Sequence, residues 1–135
     1  MKNFILLFSF FAFNNTLLFA QTQGEMNFQA SNSYTKVDKE LGVVYQQILK
    51  KYSKNTKFIN SLRISQRLWI QFRDAEVKKM YPADDARMAY GSMYPLLHFS
   101  LLEELTKTRI KDLRVWINPK EQDIQGSVGD YEGVY

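Results

Sequence analysis

Apolar residues along this chain recur every three or four positions. From Ser31 to Tyr52 the stripe Tyr34, Val37, Leu41, Val44/Tyr45, Ile48 and Tyr52 marks one face of a helix. Ser31 or Ser33 could cap that helix, and Ser53-Lys54-Asn55 ends it. A second helix is predicted from Lys57 to about Met80, with Thr56 as its N-cap. So short a connection packs the first two helices antiparallel. In the second helix Leu62, Trp69 and Phe72 recur at helical spacing, yet Gln66 and Arg73 lie on or beside the same stripe. Tyr81-Pro82-Ala83-Asp84-Asp85 breaks the pattern, because proline disfavours helix at the residue before it. Asp84 is placed to cap a short turn through Tyr90, and Gly91-Ser92 interrupts again. A third main helix is predicted from Met93 to about Ile117, capped by Ser92 with Pro95 in its first turn. Leu97, Leu101, Leu102, Leu105, Leu113 and Trp116 should face inward, and Asn118-Pro119 stops the helix. The predicted fold class is all-α: a three-helix antiparallel bundle with a short extra helical turn between helices two and three.

The first residues carry a different signal. Lys2 precedes the apolar run Phe4 to Phe13, and Asn14-Asn15-Thr16 interrupt it before Leu17-Leu18-Phe19-Ala20. A membrane-spanning helix needs about 20 apolar residues, so the run reads as a secretory signal peptide rather than an anchor. The expected division is a signal peptide over 1–20 cleaved after Ala20, a helical domain over 21–117, and a mobile acidic tail over 118–135. The mature part is expected in the periplasm or outside the cell. No Cys follows the apolar run, which excludes a diacylglyceryl anchor, and the chain has none elsewhere. An exported domain this small often leans on disulfides; this one must stand on apolar burial or on a partner.

Charge is unevenly spread. From Gln21 to Ile117, 16 Lys and Arg face 10 Asp and Glu, a net of +6, whereas the residues from Asn118 onward carry a net of −3. A basic body could favour anionic partners, or the tail could fold back and mask them. The chain shows no nucleic-acid recognition motif, Gly-rich phosphate loop, nucleophile elbow or Ser-His-Asp arrangement. His98 is the single histidine, without the companions a metal site needs, and reads as a half-buried helix residue. Neither an enzyme nor a cofactor is indicated.

Two constellations remain. Arg73 follows Gln66 by seven residues and Trp69 by four, so the three share a helical face. Arg109 lies between Leu105 and Leu113 on the stripe of the third helix, and Asp38 borders the stripe of the first. Asp38 is therefore expected as the carboxylate partner of Arg73 or Arg109, with Gln66 filling remaining hydrogen bonds. This network of Asp38, Gln66, Trp69, Arg73 and Arg109 is read as fixing helix register rather than as catalytic. The second constellation is aromatic: Tyr81, Tyr90, Tyr94 and Phe99 cluster around the connection between helices two and three. They either fill a small core or form a partner surface at Tyr81, Tyr90 and Tyr94.

Three segments resemble the LprI-type lysozyme-inhibitor-like domain. They are Met26-Asn27 with Val37-Asp38-Lys39-Glu40-Leu41 and Tyr45-Gln46-Gln47-Ile48; Gln66 through Glu76 (QRLWIQFRDAE); and Gly91-Ser92-Met93 with Leu105-Thr106 and Arg109-Ile110-Lys111-Asp112-Leu113. The resemblance spans about Glu25 to Leu113, and the Gln-x-x-Trp-x-x-aromatic-Arg-Asp helix is its most specific part. It implies a small exported helical domain with a protein partner, a lysozyme or another envelope hydrolase; inhibition would then mean occluding the enzyme cleft with a surface loop, and the connection from Tyr81 to Tyr94 is the expected one. Relatives commonly carry Cys near Gln29, at the position of Val77 and near Leu101, and this chain has none of them. The alternative function is a non-catalytic envelope structural or adaptor domain that binds anionic surface polymers or acidic proteins.

Overall fold

The computed structural model describes residues 2–118, with side chains from Thr22 onward. Its elements are α1 (Lys2–Lys51), α2 (Thr56–Met80), α3 (Ala86–Tyr90) and α4 (Tyr94–Arg114), with a 3₁₀ turn at Gly91–Met93. Tyr52 at the end of α1 packs on Phe58 at the start of α2, with ring centroids 4.6 Å apart. Arg73, far along α2, reaches back to Tyr34, so α2 runs antiparallel to α1. The pairs Asn27–Leu96, Tyr34–Phe99 and Tyr52–Trp116 show that α4 runs parallel to α1. The architecture is the expected all-α three-helix bundle, with the short α3 and its 3₁₀ turn between the second and third long helices.

The stripe read from α1 is the heart of the core. Val37, Leu41, Val44 and Ile48 pack with Leu62 of α2 and with Ile110 and Leu113 of α4, and Tyr52, Phe58 and Trp116 close one end. Two residues expected inside are outside. Phe72 is 54% exposed, because the inward line of α2 runs Leu62, Gln66, Trp69, Arg73, Val77, and Phe72 sits roughly 100° from its neighbour Arg73. Leu97 is 41% exposed, nine residues from fully buried Thr106 and therefore on the opposite side of α4.

Helix ends also differ from expectation. Neither Ser31 nor Ser33 starts a helix, since α1 continues through both. Nothing between Thr22 and Ser31 breaks it: there is no proline, and Gly24 alone costs only about 1 kcal/mol. Asn55 rather than Thr56 caps α2, its Oδ1 accepting from Phe58 N at 3.0 Å; Asn is the stronger capping residue. Asp85 rather than Asp84 caps α3, accepting from Met88 N at 2.9 Å, while Asp84 lies 3.7 Å from Lys78 Nζ.

Ser92 does not cap α4, whose N-cap, Met93, offers no side-chain acceptor. The first turn is instead satisfied from another helix. Asn27 of α1 accepts from Leu96 N through Oδ1 at 3.1 Å and donates through Nδ2 to Ser92 O at 2.9 Å. Leu96 N is one of the N–H groups that a helix start leaves unpaired, and the bond to Ser92 O fixes Asn27 against the turn that precedes it. The side chains of residues 1–21, where the signal peptide is expected, and the whole of the expected acidic tail beyond Asn118 lie outside the described residues.

Candidate functional site

The residues flagged on the α2 stripe meet around Trp69, but as two separate clusters. Arg73 and Arg109 both lie over the indole, 5.4 and 5.8 Å from its centroid, a distance at which a guanidinium is attracted to the ring face. Arg73 is the neutralised one. Its Nη2 stands 2.9 Å and its Nε 3.0 Å from Asp74 Oδ1, its Nη1 is 3.6 Å from Asp38 Oδ1, and Nη1 also donates to Tyr34 Oη at 3.3 Å. Asp38 thus stands with Arg73 and not with Arg109. Gln66 is buried and belongs to the other cluster, accepting from Arg109 Nε at 3.1 Å, while Ser65 Oγ accepts from Arg109 Nη2 at 3.0 Å. Burial pulls the Arg109 pKa below its ordinary value, against the opposing charge of Asp112, whereas burial pushes the Tyr34 phenol up.

The aromatic constellation is one connected set. Tyr81, Tyr90 and Tyr94 form a triangle with centroids 5.5, 5.4 and 6.0 Å apart, the first two pairs edge to face. From Tyr94 the chain of rings continues through His98 and Phe99, at 5.3 Å each, to Tyr34, 6.0 Å from Phe99. Tyr34 touches the Arg73 cluster, so the tyrosine triangle and the charged cluster are linked through packed rings. The triangle also braces the connection above it. Ala83 N donates to Tyr90 Oη at 3.3 Å, Lys78 Nζ donates to Ala83 O at 3.2 Å, and Gly91 takes the left-handed φ of 68° that ends α3. On this scaffold Arg87 is exposed and Met88 is 83% exposed, the barest large apolar side chain among the described residues.

His98 is half-buried, as its position suggested, and Tyr94 Oη lies 3.2 Å from its Nδ1. Burial lowers its pKa, with the charge of Asp74 acting in the other direction. The folded protein therefore holds a proton on His98 less readily than the unfolded chain does. The stability due to neutral His98 is fully present above about pH 6.5 and is lost as pH falls through the lower folded value. Thermal melts from about pH 7.5 down to about pH 5 should fall in midpoint across this window. His98→Phe should flatten that part of the profile, and a slope unchanged in the variant would assign it to other groups.

Sequence reasoning did not single out Ser65, Arg87 or Met88, and named Asn27 within the resemblance without assigning its bonds to the start of α4. That role could have been found: Asn27, Ala30, Tyr34 and Val37 are in helical phase, which puts a polar side chain on a buried stripe. Ser65, Arg87 and Met88 leave no periodic signal, because exposed positions follow none.

The small helical bundle thus carries a braced, exposed connection at one end and two arginines stacked on Trp69 within it. The family comparison supplies the class: the model for "Lysozyme inhibitor LprI" matches residues 18–113, and the chain belongs to this family. No curated relative and no solved structure matches the chain. Among the described residues, no helix is long and apolar enough to cross a membrane, and no group of three or more His, Cys, Asp and Glu is placed to hold a metal ion.

Proposed function

We propose that this protein is an exported inhibitor of lysozyme, acting by occlusion of the enzyme cleft with the connection between α2 and α4. The family match carries the choice of target class. The choice of surface is supported by the braced segment from Tyr81 to Tyr94, which presents Arg87 and Met88 on a rigid tyrosine base. Preorganisation of this kind lowers the entropy lost on binding, and an exposed Arg beside an apolar side chain suits a cleft lined with carboxylates. The leader over 1–20 supports export.

Charge constrains the reading. A body of net +6 is repelled by a cationic lysozyme unless a local patch or the acidic tail makes the contact. The test titrates the mature chain, Gln21 to Tyr135, into a lysozyme activity assay at physiological salt, with calorimetry alongside. Stoichiometric inhibition with matching heat is expected, and the double variant Arg87→Glu with Met88→Ala should weaken it at least about tenfold. Absence of inhibition against several lysozyme types would overturn the reading.

One observation favours the alternative of an envelope adaptor. The outer face of α1 has a shallow, largely apolar depression lined by Lys39, Gly42, Val43, Gln46, Gln47 and Lys50, in which Lys39 and Lys50 are the groups that could meet an anionic polymer. Binding to cell-envelope material that weakens steeply with salt distinguishes it from salt-insensitive binding to one purified hydrolase.

A further inference from the structure

The two guanidiniums on Trp69 are in unlike electrostatic situations. Arg73 has Asp74 and Asp38. Arg109 is half-buried, yet its hydrogen-bond acceptors are the neutral Gln66 Oε1 and Ser65 Oγ, and no carboxylate among the described residues lies within 4.0 Å of it. Its Nη1 makes no hydrogen bond among the described residues. Cations removed from water are ordinarily paired, because desolvation of the charge is costly without an opposite charge or full hydrogen bonding. The fork of Nε and Nη2 is occupied, which leaves the Nη1/Nη2 edge, the second edge at which a guanidinium takes two oxygens side by side.

Nη1 is unbonded yet does not number among the buried polar atoms left without a partner, so solvent reaches that edge. Gln66 is buried and holds the guanidinium from behind, while Ser65 is exposed and its hydroxyl can turn to donate to an incoming oxygen. Leu68 and Phe72 are more than half exposed, at 57% and 54%, and follow Ser65 by three and seven residues on the same side of α2. An arginine open at one edge, a hydroxyl beside it and an apolar flank make a receptor for one planar monoanion. A doubly charged phosphate would call for a second free cation, and Arg73 is already committed to Asp74.

We infer that Arg109 and Ser65 receive a carboxylate side chain of the protein partner, with Leu68 and Phe72 covering its apolar neighbours. On the reading proposed above, which this inference uses only for the partner's identity, the carboxylate belongs to the bound lysozyme. The pair gives the otherwise basic body a defined point of attraction for an acidic residue, and so sets the orientation of docking rather than acting on any reaction.

The probe is sodium acetate, titrated into the mature protein against sodium chloride at equal ionic strength. The readouts are the Arg109 Nε–H and Trp69 indole N–H resonances. Saturating shifts of both with acetate and not with chloride are expected. Arg109→Gln should abolish them, and Ser65→Ala, a surface change that spares the core, should weaken acetate binding several-fold. Equal responses to the two salts in the wild-type protein would overturn the inference whatever the variants do. In the lysozyme assay Arg109→Gln should raise the inhibition constant roughly tenfold or more, as expected when one partner of a desolvated charge pair is removed. Saturable acetate binding without inhibition of any lysozyme would leave the receptor standing and overturn the inhibitor reading. Inhibition that is unaltered in both Arg109→Gln and Ser65→Ala would do the reverse.

Discussion

Replacing Ile48 with alanine is expected to cost about 3–4 kcal/mol of folding stability. Ile48 has no exposed surface, and it belongs to the cluster in which all three long helices meet. Truncation removes the transfer energy of three carbons and leaves a cavity that α1, α2 and α4 cannot all close at once. Small domains are stable by about 5–15 kcal/mol, and this chain has no cysteine with which to cross-link the helices. The loss is therefore a large fraction of the whole, and the melting midpoint should fall by about 15 °C or more. Ile48→Val, which deletes a single methyl, should cost about 1 kcal/mol. Urea unfolding of the three proteins checks the series; equal midpoints would mean that the helices do not meet at this face.

The second large effect is expected at Trp69. Trp69→Ala should cost about 3 kcal/mol, through lost burial against the core and loss of a ring beneath two guanidiniums. Trp69→Phe should recover most of the burial and leave a deficit of about 1 kcal/mol, because benzene is the weaker partner for a cation. Chemical unfolding at low and moderate salt measures both. If Phe were no better than Ala, the position would be stabilising through something other than its ring. Trp69 also holds Arg73 and Arg109 in place, so the alanine variant should free Arg109 and degrade any function that depends on its orientation.

How much of this was legible follows from which residues carry a period. The line from Val37 to Ile48 on α1 is apolar and unbroken, and its face is assigned correctly from spacing alone. The α2 face was harder to read, because its inward line includes Gln66 and Arg73, and substituting the apolar Phe72 rotates the predicted face off the true one. The helix boundaries were displaced by one residue wherever two capping residues stand side by side, as with Asn55-Thr56 and Asp84-Asp85. For Asp84-Asp85 the residue type is the same and side-chain geometry alone decides, whereas for Asn55-Thr56 the stronger capping residue is the one used. Spacing placed Asp38, Gln66, Trp69, Arg73 and Arg109 beside the apolar stripes and left open which arginine Asp38 meets. The division of the cluster into a neutralised half and an open half was not legible, because Asp74 and Ser65 are ordinary surface residues until the angles between helices are known.

The link from Asn27 to the first turn of α4 has a consequence for how the chain comes together. The two partners are separated by 69 positions in sequence, so the first turn of α4 is completed by a side chain of the first helix in the chain. Contacts of such span carry a high loop-closure cost and tend to form late. The beginning of α4 and the Asn27 stretch of α1 are therefore coupled as one unit beside the 3₁₀ turn. The tyrosine-braced connection sits next to that unit. Its bracing is therefore tied to the seating of Asn27, near the middle of α1, against the first turn of α4.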